Sequence, residues 1–197
     1  MKTAVLIMFV AFTSLISGDD GWQLKKSGKY FKAYTKGNSD KFYKIEVDLD
    51  CNADSVYSFL TDFKKFPELF ENISSLDILS YSDSVTIHYS VINTPWPFSD
   101  RDMVTRVATH KSDGKRLISS KSFTADSHKP FNNKVRIDDF EEQLEVVKSG
   151  KSKSRLKIQG RIKLNERIPA WLLDRLILAG PLNTVELIKN KYERREN

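Results

Sequence analysis

The chain is expected to be an α+β fold in which a curved antiparallel sheet wraps around a long C-terminal helix. Three observations lead there. Strand-like runs follow one another with short turns from about residue 76 to 164, leaving no room for the crossovers that parallel pairing needs. The stretch Ile168 to Tyr192 carries an apolar stripe at Leu173, Leu176, Ile177, Gly180, Thr184, Leu187 and Ile188, the spacing of a helix face laid on a core. And 197 residues suffice for one large core but not for two generous domains. A sheet with one apolar face must close over something, and this helix is the available element.

The terminal helix is not clean on its other side, where Trp171, Leu178, Leu182 and Val185 lie among Asp174, Arg175, Glu186 and Lys189. Pro169 suits its first turn. Pro181, after Gly180, has no N–H for the Ile177 carbonyl and invites a kink. A bent helix with two apolar sides is either an ordinary buried helix or a lid over a cavity.

In chain order, the N-terminus comes first. Lys2 precedes an uncharged run from Thr3 to Gly18, 16 residues, short of the ~20 a membrane helix needs. It reads as a signal peptide over 1–18, cleaved near Ser17 or Gly18, with the domain over 19–197. Export to the periplasm or outside the cell is therefore expected. Trp22 to Lys26 reads as a short helix ended by Gly28. Tyr30 to Thr35 and Phe42 to Leu49 read as a hairpin across Gly37-Asn38-Ser39-Asp40, with Tyr43, Ile45, Val47 and Leu49 facing in. Asn52 is a plausible N-cap for a helix to Thr61, and a second short helix surrounds Pro67. Strands are expected at Leu76–Tyr81, Val85–Val91, Met103–Thr109, Leu117–Phe123, Lys134–Phe140, Gln143–Val147 and Arg155–Leu164. In Val85–Val91, the apolar positions Val85, Ile87, Tyr89 and Val91 are taken as the inward face, with Thr86, His88 and Ser90 outward. In Arg155–Leu164, Leu156, Ile158, Gly160, Ile162 and Leu164 alternate with basic residues.

Composition narrows the function. Hydrophobic residues make 40% and charged residues 29%, as in a soluble globular domain. The net charge of +6, from 32 bases and 26 acids, suits anionic surfaces without demanding nucleic acid. The basic row Arg155, Lys157, Arg161 and Lys163 has no interleaved aromatics, which argues against single-stranded nucleic acid. It reads as a solvated sheet face. Cys51 is the sole cysteine, so there is no internal disulfide, and it has no visible base to activate it. His88, His110 and His128 lack ligand spacing, and no phosphate loop or nucleophile elbow is present. Asp138-Asp139 and Glu141-Glu142 read as solvated surface. Neither metal nor cofactor is expected.

The most specific stretch is Thr94-Pro95-Trp96-Pro97-Phe98-Ser99-Asp100-Arg101-Asp102-Met103-Val104. It resembles the signature of START (StAR-related lipid-transfer) domains. Trp22, Gly28 and Tyr34 resemble the family's opening segment, Val135-Arg136 its late strand, and Ile168-Pro169-Ala170-Trp171-Leu172 the start of its C-terminal helix. The resemblance spans about residues 20 to 192. It implies a helix-grip fold with a lipid-sized tunnel between sheet and helix, and a binding protein that is not an enzyme. Some relatives hold an acidic and an Arg side chain in the tunnel. Tyr89 and Val107 fall near those positions, which implies a plainly apolar cavity with the Tyr89 hydroxyl as its handle. Arg101 is taken as structural, tying its loop to Asp100 or Asp102.

The expected ligand contacts are Val85, Ile87, Tyr89, Val91, Met103, Thr105, Val107, Leu173, Leu176 and Ile177. Burying ten methylenes at ~0.8 kcal/mol each yields roughly 8 kcal/mol before association costs. The reading is a monomer that binds a lipid or other hydrophobic small molecule and carries it between membranes, with room for transient membrane-surface contact through Trp171, Leu178 and Leu182. One alternative is a cyclase or aromatase on the same fold, using Tyr89, Thr105 and His110. Another is an interaction module with a filled interior.

Overall fold

The structure, a computed structural model, describes residues 21–38, 40–96, 98–122, 133–163 and 170–193. The expected signal segment, His128, Leu164 and Ile168-Pro169 lie outside the described residues, as does the Trp171 side chain. Ten strands form one sheet: β1 (Gln23–Ser27), β2 (Phe31–Lys36), β3 (Asp40–Leu49), β4 (Ile73–Tyr81), β5 (Val85–Ile92), β6 (Arg101–Ser112), β7 (Lys115–Ser122), β8 (Val135–Arg136), β9 (Phe140–Lys148) and β10 (Ser154–Lys163). The helices are α1 (Ala53–Thr61), α2 (Phe66–Leu69), entered through a 3-10 turn at Phe63–Lys65, and α3 (Ala170–Tyr192).

The strand order is β1-β2-β3-β10-β9-β7-β6-β5-β4, antiparallel throughout that path. The last strand thus closes against the N-terminal hairpin. β3 and β10 lie side by side in the interior of the sheet, and their inward rows are apolar: Tyr43, Ile45, Val47, Leu49, Leu156 and Ile158 are all buried. Gly37 makes the β2–β3 turn possible. Its φ is +85°, and a Cβ there would sit 2.1 Å from the Asp40 carbonyl oxygen.

Asn52 caps α1 as expected, its side chain accepting the Ser55 N–H at 2.8 Å. Pro67 sits in the first turn of α2. α3 runs through Pro181 without interruption. Its apolar residues divide between two surroundings. Leu173, Ile177, Leu178, Val185 and Ile188 are buried in the main core with Val56, Phe59 and Leu60 of α1. Leu176, Gly180, Thr184 and Leu187 look instead onto a cavity. So the second apolar side is satisfied within the domain through Leu178 and Val185.

Two expectations fail. Residues 22–26 are not helical: β1 pairs with β2 through a bulge between Leu24 and Lys26, and sheet pairing outweighs a weak local helix signal. The expected strand Lys134–Phe140 reduces to β8, which lies parallel to β6 with Arg101 opposite Val135 and Asp102 opposite Arg136. The Val135 and Ile137 N–H groups donate to the Asp100 and Asp102 carbonyls at 2.9 and 2.8 Å. A side-chain anchor fixes the pairing, since Arg136 grips Asp102 from Nε and Nη2 at 2.8 and 3.0 Å. The sheet is therefore mostly, not wholly, antiparallel.

Candidate ligand cavity under the C-terminal helix

Between α3, α2 and the concave face of the sheet lies a cavity of about 920 Å³. α3 supplies Leu176, Ile177, Gly180, Thr184 and Leu187; the helical segment after α1 supplies Phe63, Phe66, Leu69 and Phe70. Leu144, Ile158 and Ile162 line it from the sheet centre. Gly180 is consequential: a Cβ built on it meets no atom within 4 Å, so its side faces open space.

Of the ten expected contacts, Met103, Thr105, Val107, Leu176 and Ile177 line this cavity. Leu173 is packed into the core beside it. Val85, Ile87, Tyr89 and Val91 are turned away, and their strand presents His88, Ser90 and Ile92 inward. β5 does alternate, but its apolar face is turned away from the cavity. Tyr89, Val91 and Val104 bury themselves in a second small cluster on the sheet's other side, with Ile87 against it. When both faces of a strand are covered, hydropathy no longer says which one is inside.

The cavity wall is accordingly less apolar than the resemblance implied. His88 and Thr105 are register neighbours on β5 and β6, 7% and 2% exposed. His88 Nδ1 and Thr105 Oγ1 each lack a hydrogen-bond partner among the described residues. Burial pushes the imidazole down to about 4, so it is neutral near pH 7. Its ring lies against Phe63 with centroids 5.6 Å apart. Two buried polar atoms left open cost ~1–3 kcal/mol each unless something in the cavity meets them. Ser90 and Arg101, both buried, line the same end.

Glu142 also lines the cavity, contrary to its reading as solvated surface. The Tyr43 hydroxyl donates to its Oε1 at 2.6 Å. Burial pushes the carboxyl up to about 7 and, with Glu142 beside it, pushes the Tyr43 phenol well above its usual range. The sequence signal for Glu142 was register: it stands opposite Gly160, which stands opposite Tyr43 on an inward-facing row.

Tyr89 is no cavity handle. Its hydroxyl donates to Asp102 Oδ2 at 3.0 Å on the far side of the sheet, and burial, with that bond, pushes it up to about 12. Asp102, fully buried, is also the carboxylate that Arg136 grips. Asp100 accepts the Thr94 N–H at 3.0 Å, closing the loop that Arg101 was expected to tie. Arg101 itself is buried and cavity-lining. Tyr89, Thr105 and His110 do not converge: Tyr89 faces away, Thr105 faces in, and His110 is exposed on β6. Burial pushes the Cys51 thiol up to about 11, so it stays protonated. Among the described residues no cluster of metal-ligating side chains occurs, and no helix is long and apolar enough to cross a membrane.

Comparison with known proteins agrees with this geometry. An uncharacterized protein of Pseudomonas aeruginosa is 21% identical over 179 residues, covering 89% of either chain. The crystal structure of a STAR-related lipid transfer protein from Xanthomonas axonopodis superposes with a TM-score of 0.76 at 25% identity, over 89% of this chain and 100% of that one. Human StAR-related lipid transfer protein 5 gives a TM-score of 0.76 at 14% identity, over 92% and 90% of the two chains. The START domain model matches residues 11–186. The chain belongs to the START domain family, whose helix-grip fold binds lipids or other hydrophobic ligands.

Proposed function

We propose that this protein binds a lipid or similar hydrophobic molecule in the cavity under α3 and carries it between membranes without chemically altering it. The cavity itself carries the reading. About 920 Å³ lined by Leu144, Ile158, Ile162, Leu176 and four phenylalanines is far more than a filled interaction module leaves open, and lies in the usual range for a bound small molecule. Met103, Val107, Leu176 and Ile177 are the proposed apolar contacts, and His88 with Thr105 the polar anchor for a headgroup. The similarity to a lipid transfer protein supports the carrier role.

Export by the N-terminal segment would place this activity in the periplasm or outside the cell. Membrane contact is proposed through Trp96, which is 92% exposed in the loop whose Pro95 lines the cavity mouth. An exposed Trp beside an opening suits the headgroup region of a bilayer. The basic row of β10 supports docking less well, because Arg155 pairs with Asp48 and Arg161 with Asp139.

Filling the vacancy tests the reading. Gly180→Phe places a ring where a Cβ meets nothing. The variant should fold with at least wild-type stability, since glycine is a poor helix residue, and should lose binding of a fluorescent fatty-acyl probe by at least about tenfold. Unchanged probe binding would remove the cavity as the site.

A further inference from the structure

Tyr43, Gly160 and Glu142 form one row across three strands, paired Tyr43 to Gly160 and Gly160 to Glu142. The glycine is what brings the outer two together. A Cβ on Gly160 would stand 2.3 Å from both Cζ and the hydroxyl oxygen of Tyr43, so the phenol ring lies over the space a side chain would take. That reach lets the hydroxyl donate to Glu142 Oε1 at 2.6 Å.

A carboxylate offers about four acceptor sites over two oxygens. Among the described residues Tyr43 is the one donor to Glu142, and no cation pairs with it. The carboxyl nevertheless faces the cavity. Glu142 is half-buried, and a carboxylate so placed gains from each further donor that reaches it. Its surroundings hold it close to half-ionised near neutral pH, burial being the cause.

Resting on the carrier reading above, we propose that Glu142, positioned by Tyr43 over Gly160, is a second polar contact of the cavity and receives a hydrogen-bond-donating group of the ligand, a hydroxyl or an amine. β9 stands three places from β5 and two from β6 in the sheet, or ~14 and ~10 Å at ordinary strand spacing. Glu142 is thus remote from the open His88 and Thr105 atoms. A ligand that meets both ends is polar at two points and apolar between them.

Two probes separate this from the broader reading: dodecanol and its methyl ether, which have similar length and apolar area but differ in one donor. Calorimetric titration of wild-type protein should favour the alcohol by about tenfold, the worth of one hydrogen bond to a charged acceptor. Glu142→Leu should bring the two affinities within about twofold of each other and leave the ether bound. Equal affinities in wild type, or a preference that survives in Glu142→Leu, would overturn the assignment while leaving the carrier reading intact. If wild type binds neither probe, the carrier reading falls and this one with it. A measurement on wild type alone guards against a misfolded variant. With carboxyl-labelled glutamate, the Glu142 resonance should titrate at lower pH when the alcohol is bound, and be less affected by the ether. A midpoint that responds alike to both probes would also overturn it.

Discussion

Lys41 Nζ lies 2.9 Å from Asp174 Oδ1, with both side chains almost fully buried between β3 and α3. Thr35 donates its hydroxyl to the same oxygen at 3.1 Å, and Lys25 reaches Oδ2 at 2.9 Å. Burial alone would raise this carboxyl, but the hydrogen bonds from Lys25, Lys41 and Thr35 hold it below the usual aspartate range. The cluster pins the first half of α3, and Val185 with Ile188 pins the second.

Breaking that pair by one partner should be costly. Asp174→Leu leaves Lys41 buried without its counter-charge and should lose ~3 kcal/mol in urea unfolding, whereas Lys41→Met with Asp174→Leu should recover much of it. The sign with pH follows from the depressed carboxyl. Its contribution is present above the unfolded value near 3.8 and is lost as pH falls below it. Asp174→Leu should therefore show less acid sensitivity below about pH 4 than wild type.

Glu142 and His88 should pull stability in opposite directions with pH. The Glu142 carboxyl is raised from 4.5 to about 7, so the unfolded chain ionises first and stability falls as pH rises between those values, by roughly 3 kcal/mol. His88 is lowered from 6.5 to about 4, so the unfolded chain takes the proton first and stability falls as pH drops over that range, by a similar amount. The two nearly offset between pH 4.5 and 6.5. Unfolding curves of Glu142→Gln should therefore rise with pH across that window, and those of His88→Gln should fall. Parallel curves for the two variants would contradict both assignments.

Gly160→Ala drives a methyl group into the Tyr43 ring. Overpacking of this kind costs ~1–3 kcal/mol. Gly160→Ala with Tyr43→Ala should be less destabilised than the sum of the two single changes, a coupling readable from a double-mutant cycle.

Pro181 lies inside α3 and leaves the Ile177 carbonyl without its helical donor, a place where the helix can bend. Pro181→Ala restores a donor for the Ile177 carbonyl and should both stabilise the helix and slow ligand uptake and release. Stopped-flow exchange with labelled vesicles measures this. Rates equal to wild type would mean that α3 does not bend there.

Most of the fold was legible in the sequence because its central elements are consistent at every level. β3 from Tyr43 onward and β10 alternate, α1 carries its cap, and the motif around Arg101 and Asp102 leads directly into the strand expected from Met103. Of the candidate site, the part on β6 and α3 was legible to the extent that Met103, Thr105, Val107, Leu176 and Ile177 line the cavity. It was not legible on β5. There the protein places its apolar residues in a second cluster and lends the cavity His88 and Ser90, against hydropathy. Glu142 was hidden for a related reason: a charged residue beside another charge reads as surface until register puts it opposite Gly160. β8 was misjudged because two residues held by Arg136 on Asp102 leave no periodicity to detect.

Native mass spectrometry of the purified protein, before and after incubation with phospholipid vesicles, bears most directly on the central idea. The account predicts a mass above that of the polypeptide, by one small molecule that organic extraction removes and vesicles restore, and no such increment for Gly180→Phe. A wild-type protein that appears at its bare polypeptide mass under both conditions, or a Gly180→Phe variant that carries the same increment, would contradict it.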